Sequence, residues 1–239
     1  MIFLLSLIAG LLLGLLGGGG AIFMVPILKH VGGFSVGQAI AGSLLVIGIG
    51  AFVGAIRQYR LKNLRVKPGI LFACGSMPGA MIGTRIGSWM GAELQMTVFA
   101  VVVLISALSM LYGKKDESHK PPHGILRLLS ISLFTGIMTG AIGVGGGFLI
   151  VPALIRGYRL NIREASATSL LVISLSALSG MISHPDILNV PQVIYTVLLF
   201  VLAGVMTGIQ ISKFIPASSL QKGFAWFLLG LGFVLVIGG

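Results

Sequence analysis

Gly14-Leu15-Leu16-Gly17-Gly18-Gly19-Gly20-Ala21-Ile22-Phe23-Met24-Val25-Pro26 occurs twice in this chain, the second time as Gly140-Ala141-Ile142-Gly143-Val144-Gly145-Gly146-Gly147-Phe148-Leu149-Ile150-Val151-Pro152. Each clustered glycine weakens a helix by about 1 kcal/mol relative to alanine, and a run of them leaves backbone N–H and C=O groups in search of partners. The surrounding residues are uncharged and apolar. In hydrocarbon such backbone is tolerated only where protein buries it or where it lines a cavity, and paired interrupted segments in two halves of a chain point to a binding site. The two glycine runs are therefore the candidate substrate site.

Working outward, a shift of 126 residues aligns Gly10, Gly14, Gly17, Gly19, Gly20 and Pro26 with Gly136, Gly140, Gly143, Gly145, Gly146 and Pro152. The match continues through Ala39, Ala41, Ser43, Leu44 and Leu45, which meet Ala165, Ala167, Ser169, Leu170 and Leu171. Two copies of one unit follow, 1–112 and 125–239, with the polar, proline-containing stretch 113–124 as a cytoplasmic linker. Of 239 residues, 56% are hydrophobic and 9% charged, and the mean hydropathy is +1.08. That balance excludes a soluble domain and indicates an all-α integral membrane protein. Uncharged stretches near 1–28, 31–56, 68–84, 94–112, 128–155, 165–182, 192–212 and 223–239 give about four helical segments per half, most of them near the roughly 20 residues that span a bilayer.

The net charge of +11 sits beside these spans, where positive-inside bias and anionic lipid account for it without nucleic acid. Equivalent loops carry opposite bias. The loop after the first glycine segment holds Lys29 alone and the next holds Arg57, Arg60, Lys62, Arg65 and Lys67; their counterparts hold Arg156, Arg159 and Arg163, then no basic residue near Asn189. The halves are therefore expected to lie inverted in the membrane, with glycine-broken helices 1 and 5 either re-entrant or crossing twice. Placing the linker inside puts Lys62 and Arg159 in the cytoplasm, and Asn189 and both termini outside.

Chemistry by side chains is not expected. No nucleophile elbow, phosphate loop or metal-binding spacing occurs, and His30, His119, His123 and His184 all lie in polar stretches. The expectation is no enzyme, no metal and no cofactor. Cys74 is the single cysteine and so forms no intrachain disulfide. Successive glycine N–H groups can form a nest for an oxyanion. The candidate binding residues are Gly17, Gly18, Gly19, Gly20, Pro26 and Ser43 in the first half, and Gly143, Gly145, Gly146, Gly147, Pro152, Thr168 and Ser169 in the second. The hydroxyls of Ser43, Thr168 and Ser169 have two readings, donation toward the break or bonding back to their own helix. Helix contact alone asks for glycine every fourth residue, as in Gly10/Gly14, Gly79/Gly83, Gly136/Gly140 and Gly204/Gly208. Ser35/Gln38 and Asn161/Glu164 have capping-box spacing, so Glu164 is read as a cap rather than a proton carrier.

The twin glycine motifs followed by Val-Pro, in a duplicated chain of this length, resemble the TauE/SafE family of sulfite exporters, and the resemblance covers essentially the whole chain. It implies a secondary transporter of the bacterial inner membrane that moves sulfite, thiosulfate or an organosulfonate, generally outward, with the anion bound at the midplane. A channel or importer for another small molecule, and a non-transporting scaffold, are the alternatives. Expected partners are the small anion and the lipid bilayer, with a homodimer as a further arrangement.

Overall fold

A computed structural model describes residues 1–90, 92–112, 124–142, 147–183 and 191–238. The protein is all-helical, with no strand among the described residues. Hydrocarbon leaves the backbone no solvent to bond with, so helices satisfy it internally. In order they are α1 (Ile2–Leu16), α2 (Ala21–Pro26), α3 (Val36–Arg60), α4 (Val66–Trp89), α5 (Ala92–Tyr112), α6 (Ile125–Ile142), α7 (Gly147–Gly157), α8 (Ile162–Ser183), α9 (Val193–Phe214) and α10 (Ala217–Gly238). Among the described residues, Val36–Arg60, Ile162–Met181 and Val193–Phe214 are long and apolar enough to cross a membrane, while Ile2–Leu16 and Gly147–Gly157 are shorter apolar helices.

Local signals explain where several helices begin. Ser35 Oγ accepts the Gln38 N–H at 3.3 Å and Gln38 Oε1 accepts the Ser35 N–H at 3.3 Å. Asn161 Oδ1 accepts the Glu164 N–H at 2.9 Å, and Glu164 Oε2 returns the favour to Asn161 N–H at 3.2 Å. Both capping boxes read from the sequence are thus present at the starts of α3 and α8. At the end of α2, Pro26 has no N–H to give, and the helix widens into a π turn over Ile27–Val31.

Small residues decide which helices meet. A Cβ on Gly10 or Gly14 would strike the carbonyls of Val201 and Val205, and one on Gly204 or Gly208 would strike those of Leu7 and Leu11. The rising numbers mean that α1 and α9 lie side by side and run the same way. Gly79 and Gly83 meet Leu133 and Ile137 likewise, and Gly136 and Gly140 meet Ser76 and Ala80, so α4 and α6 are also parallel. The four glycine pairs expected to serve contact are at these two seams, where backbones approach as they do in membrane helix pairs.

Other pairs run in opposition. Leu44 covers Gly180, Ala177 covers Gly48 and Leu170 reaches Gly54, which makes α3 antiparallel to α8. Leu104 covers Gly232 while Gln221 Nε2 donates to the Met110 carbonyl at 2.9 Å, which makes α5 antiparallel to α10. Gly42, Gly50 and Gly54 meet Ile194, Val201 and Ile209 in order, so α3 runs with α9 and hence with α1. Between two helices of the same direction the chain must return. It does so through α2 and the π turn, with Gly20 resting on the Ala9 carbonyl and Leu13 of α1.

One end of the bundle collects the C-terminus of α3 and the N-termini of α4, α6, α8 and α10. Among the described residues it carries Arg57, Arg60, Lys62, Arg65, Lys67, Arg127, Arg156, Arg159, Arg163, Lys213 and Lys222, and the opposite end carries Lys29 and Arg85. At the basic end Arg65 Nε donates to Glu164 Oε1 at 2.8 Å, tying α4 to α8.

Candidate functional site

The first glycine run begins where α1 stops. Gly17 takes a left-handed conformation, φ 76°, and its N–H closes the last turn onto the Leu13 carbonyl at 2.9 Å. A side chain here would be strained as well as crowded. The exposed carbonyls of the helix end are met by the other half of the chain. Ser166 Oγ donates to Leu16 O at 3.2 Å, and Ser169 Oγ, 2.6 Å from Gly17 O and 2.8 Å from Ser166 O, shares its proton between them.

Gly17, Gly18, Gly19 and Gly20 are all buried. The backbone of Gly18 lies directly against that of Gly147, so that a Cβ on Gly18 would meet the Gly147 carbonyl. The start of α7 and the first glycine run therefore touch at the centre of the molecule. Two carbonyls of the run accept at long range, Gly18 O from Ala21 N at 3.4 Å and Gly20 O from Phe23 N at 3.3 Å. No acceptor among the described residues takes the N–H of Gly18, Gly19 or Gly20. Buried amides without partners cost about 1–3 kcal/mol each, and three in succession are the donor set an oxyanion would satisfy.

The remaining candidates fall into distinct places. Pro26 closes α2 at the π turn, and Pro152 is buried within α7. Ser43 donates back to the Ile40 carbonyl at 2.8 Å, the local alternative weighed above. Thr168 is fully buried and its Oγ1 accepts the Arg65 N–H at 3.1 Å, which caps the start of α4. Gly143, Gly145 and Gly146 lie outside the described residues.

Two neighbours of the run escape a reading of the sequence alone. Ser166 stands three residues before Ser169 on the same helix face, a spacing that was visible but carried no direction. Phe227 of α10 is the nearest side chain to Gly19, where a Cβ would find its ring at 3.1 Å. The same ring borders a cavity of about 240 Å³, lined by Leu12, Leu15 and Leu16 of α1 and by Ile215, Ser219, Leu220 and Gly223. That cavity lies in the half of the bundle toward the basic end. Among the described residues no group of histidine, cysteine and carboxylate could hold a metal ion.

Residues 2–235 match the family described as Sulfite exporter TauE/SafE. A "Probable membrane transporter protein" of Xylella fastidiosa (strain 9a5c) is 30% identical over 207 residues, covering 84% of this chain and 78% of its own. The "Probable membrane transporter protein YunE" of Bacillus subtilis (strain 168) is 31% identical over 208 residues, covering 75% and 76%. A "Probable membrane transporter protein" of Haemophilus influenzae (strain ATCC 51907 / DSM 11121 / KW20 / Rd) is 28% identical over 253 residues, covering 95% and 93%.

Proposed function

Because this chain belongs to the sulfite exporter TauE/SafE family of membrane transporters, we propose that it is a secondary transporter that exports a small sulfur-containing anion, such as sulfite, thiosulfate or an organosulfonate. The observation that carries the reading is the row of buried amides at Gly18, Gly19 and Gly20, without an acceptor among the described residues and set against the backbone of Gly147. Neutral donors fit a transporter. At the glycine break they replace part of an anion's hydration while placing no full counter-charge in direct contact with it there.

Helix direction supports the rest of the proposal. Equivalent helices of the two halves run oppositely, α3 against α8 and α5 against α10, which is the relation of inverted repeats. The parallel course of α1 and α3 makes α1 and α2 a re-entrant hairpin whose tip is the glycine run. By the positive-inside rule the basic end faces the cytoplasm of a bacterial inner membrane, with both termini outside. The anion then sits near the midplane, where the first glycine run meets the start of α7, and each half supplies one wall. The chain has no phosphate-binding loop for ATP, so transport draws on an ion gradient or on that of the substrate.

Reconstituted vesicles test this. Saturable flux of labelled sulfite, thiosulfate or sulfoacetate is expected, and Gly19→Leu should abolish it while leaving protein in the membrane. Non-saturable flux would indicate a channel, and no flux of any of these anions would remove the proposal.

A further inference from the structure

We infer that Arg57 is a binding residue for the transported anion, receiving it on the cytoplasmic side of the first glycine run. Arg57 lies in the last turn of α3, three residues beyond Gly54, whose open face meets Val205 and Ile209 of α9 and Leu170 of α8. It is therefore turned toward α9, away from the exposed stripe of Phe52, Ile56 and Tyr59. Its Nε is buried and has no acceptor, and among the described residues its guanidinium makes no ion pair. The neighbouring cation is differently placed, since Arg65 is matched by Glu164, whose second oxygen is used by Asn161.

Depth follows from the antiparallel register of α3 and α8. With Gly54 opposite Leu170 and Leu44 opposite Gly180, Arg57 lies level with the turn of α8 that includes Ser166 and Ser169, the two hydroxyls that hold the carbonyls of Leu16 and Gly17. A half-buried guanidinium whose Nε–H is buried without an acceptor among the described residues leaves that donor unsatisfied until an anion arrives. An oxyanion is the ligand that a guanidinium Nε–H and its adjacent Nη–H bind as a pair. Arg57 thus gives the pathway one full positive charge ahead of the neutral amides.

This inference rests on the transporter reading, and one set of vesicles separates the two. Wild type, Arg57→Gln and Arg57→Lys are reconstituted in phosphatidylcholine, and thiosulfate flux is measured with and without added phosphatidylglycerol. Loss of a charge-assisted bond predicts a half-saturation concentration raised about tenfold or more in Arg57→Gln, with Arg57→Lys between it and wild type. Melting temperature without anion should fall little in Arg57→Gln, because among the described residues no hydrogen bond or ion pair is lost. Wild-type flux with an unchanged half-saturation in Arg57→Gln overturns this inference and leaves the transporter reading standing, whereas absent wild-type flux overturns both. A difference between wild type and variant that emerges only with phosphatidylglycerol assigns Arg57 to a lipid phosphate and overturns it too.

Discussion

Ser169 illustrates how one hydroxyl takes on a role that its sequence position left open. Its proton is held by the carbonyls of Gly17 and Ser166, so it fixes the broken end of α1 and is not a free donor for an anion. Ser43, its counterpart by the 126-residue shift, bonds back to Ile40. The repeat makes the two serines equivalent, but only the folded chain decides what each one meets. Replacing Ser169 by alanine strands a buried carbonyl, at a cost of about 1–3 kcal/mol. Chemical or thermal unfolding in detergent should show that loss, and Ser43→Ala should show a smaller one. Gly17 was legible for the opposite reason: a glycine inside an apolar run is rarely placed without a backbone need, and its left-handed φ of 76° supplies that need.

At the scale of elements, the close seams between α1 and α9 and between α4 and α6 follow from glycines at four-residue spacing. The spacing was readable in the sequence, whereas the partners were not, because each seam joins helices from different halves. Likewise the capping boxes of α3 and α8 were visible as Ser35/Gln38 and Asn161/Glu164, and the ion pair that Glu164 makes with Arg65 across the halves was not. Local hydrogen-bond patterns are written in neighbouring residues, and long-range contacts depend on where whole helices come to rest. Glycines in the seams and glycines in the run should therefore fail differently. A Cβ on Gly83 meets the Ile137 carbonyl, which cannot move aside, and a Cβ on Gly19 meets the edge of the Phe227 ring, which can. Gly83→Ala should lose about 1–3 kcal/mol of stability by overpacking with anion affinity unchanged in the folded fraction. A variant that melts like wild type would show that the seam is looser than its geometry.

For the whole molecule, the duplication, the charge bias of equivalent loops and the opposed courses of α3 and α8 and of α5 and α10 support the proposal of two oppositely inserted halves, with Gly18 and Gly147 in contact between them. The eight uncharged stretches cover the ten helices among the described residues, with α1 and α2 in one stretch and α6 and α7 in another, but the fold of Gly20 back onto Ala9 and Leu13 was not legible, since parity alone allowed a hairpin or a double crossing. Everything proposed for the function depends on this arrangement, because a neutral amide site shared by two inverted halves exists only if equivalent loops face opposite sides. Lys62 and Asn189 lie in such equivalent loops, one shift of 126 residues apart to within a residue. The direct measurement places single cysteines at these positions in a Cys74→Ala background and treats intact cells with an impermeant thiol reagent. The account expects position 189 to label from outside and position 62 to label only after the membrane is opened; labelling of both from the same side would contradict it.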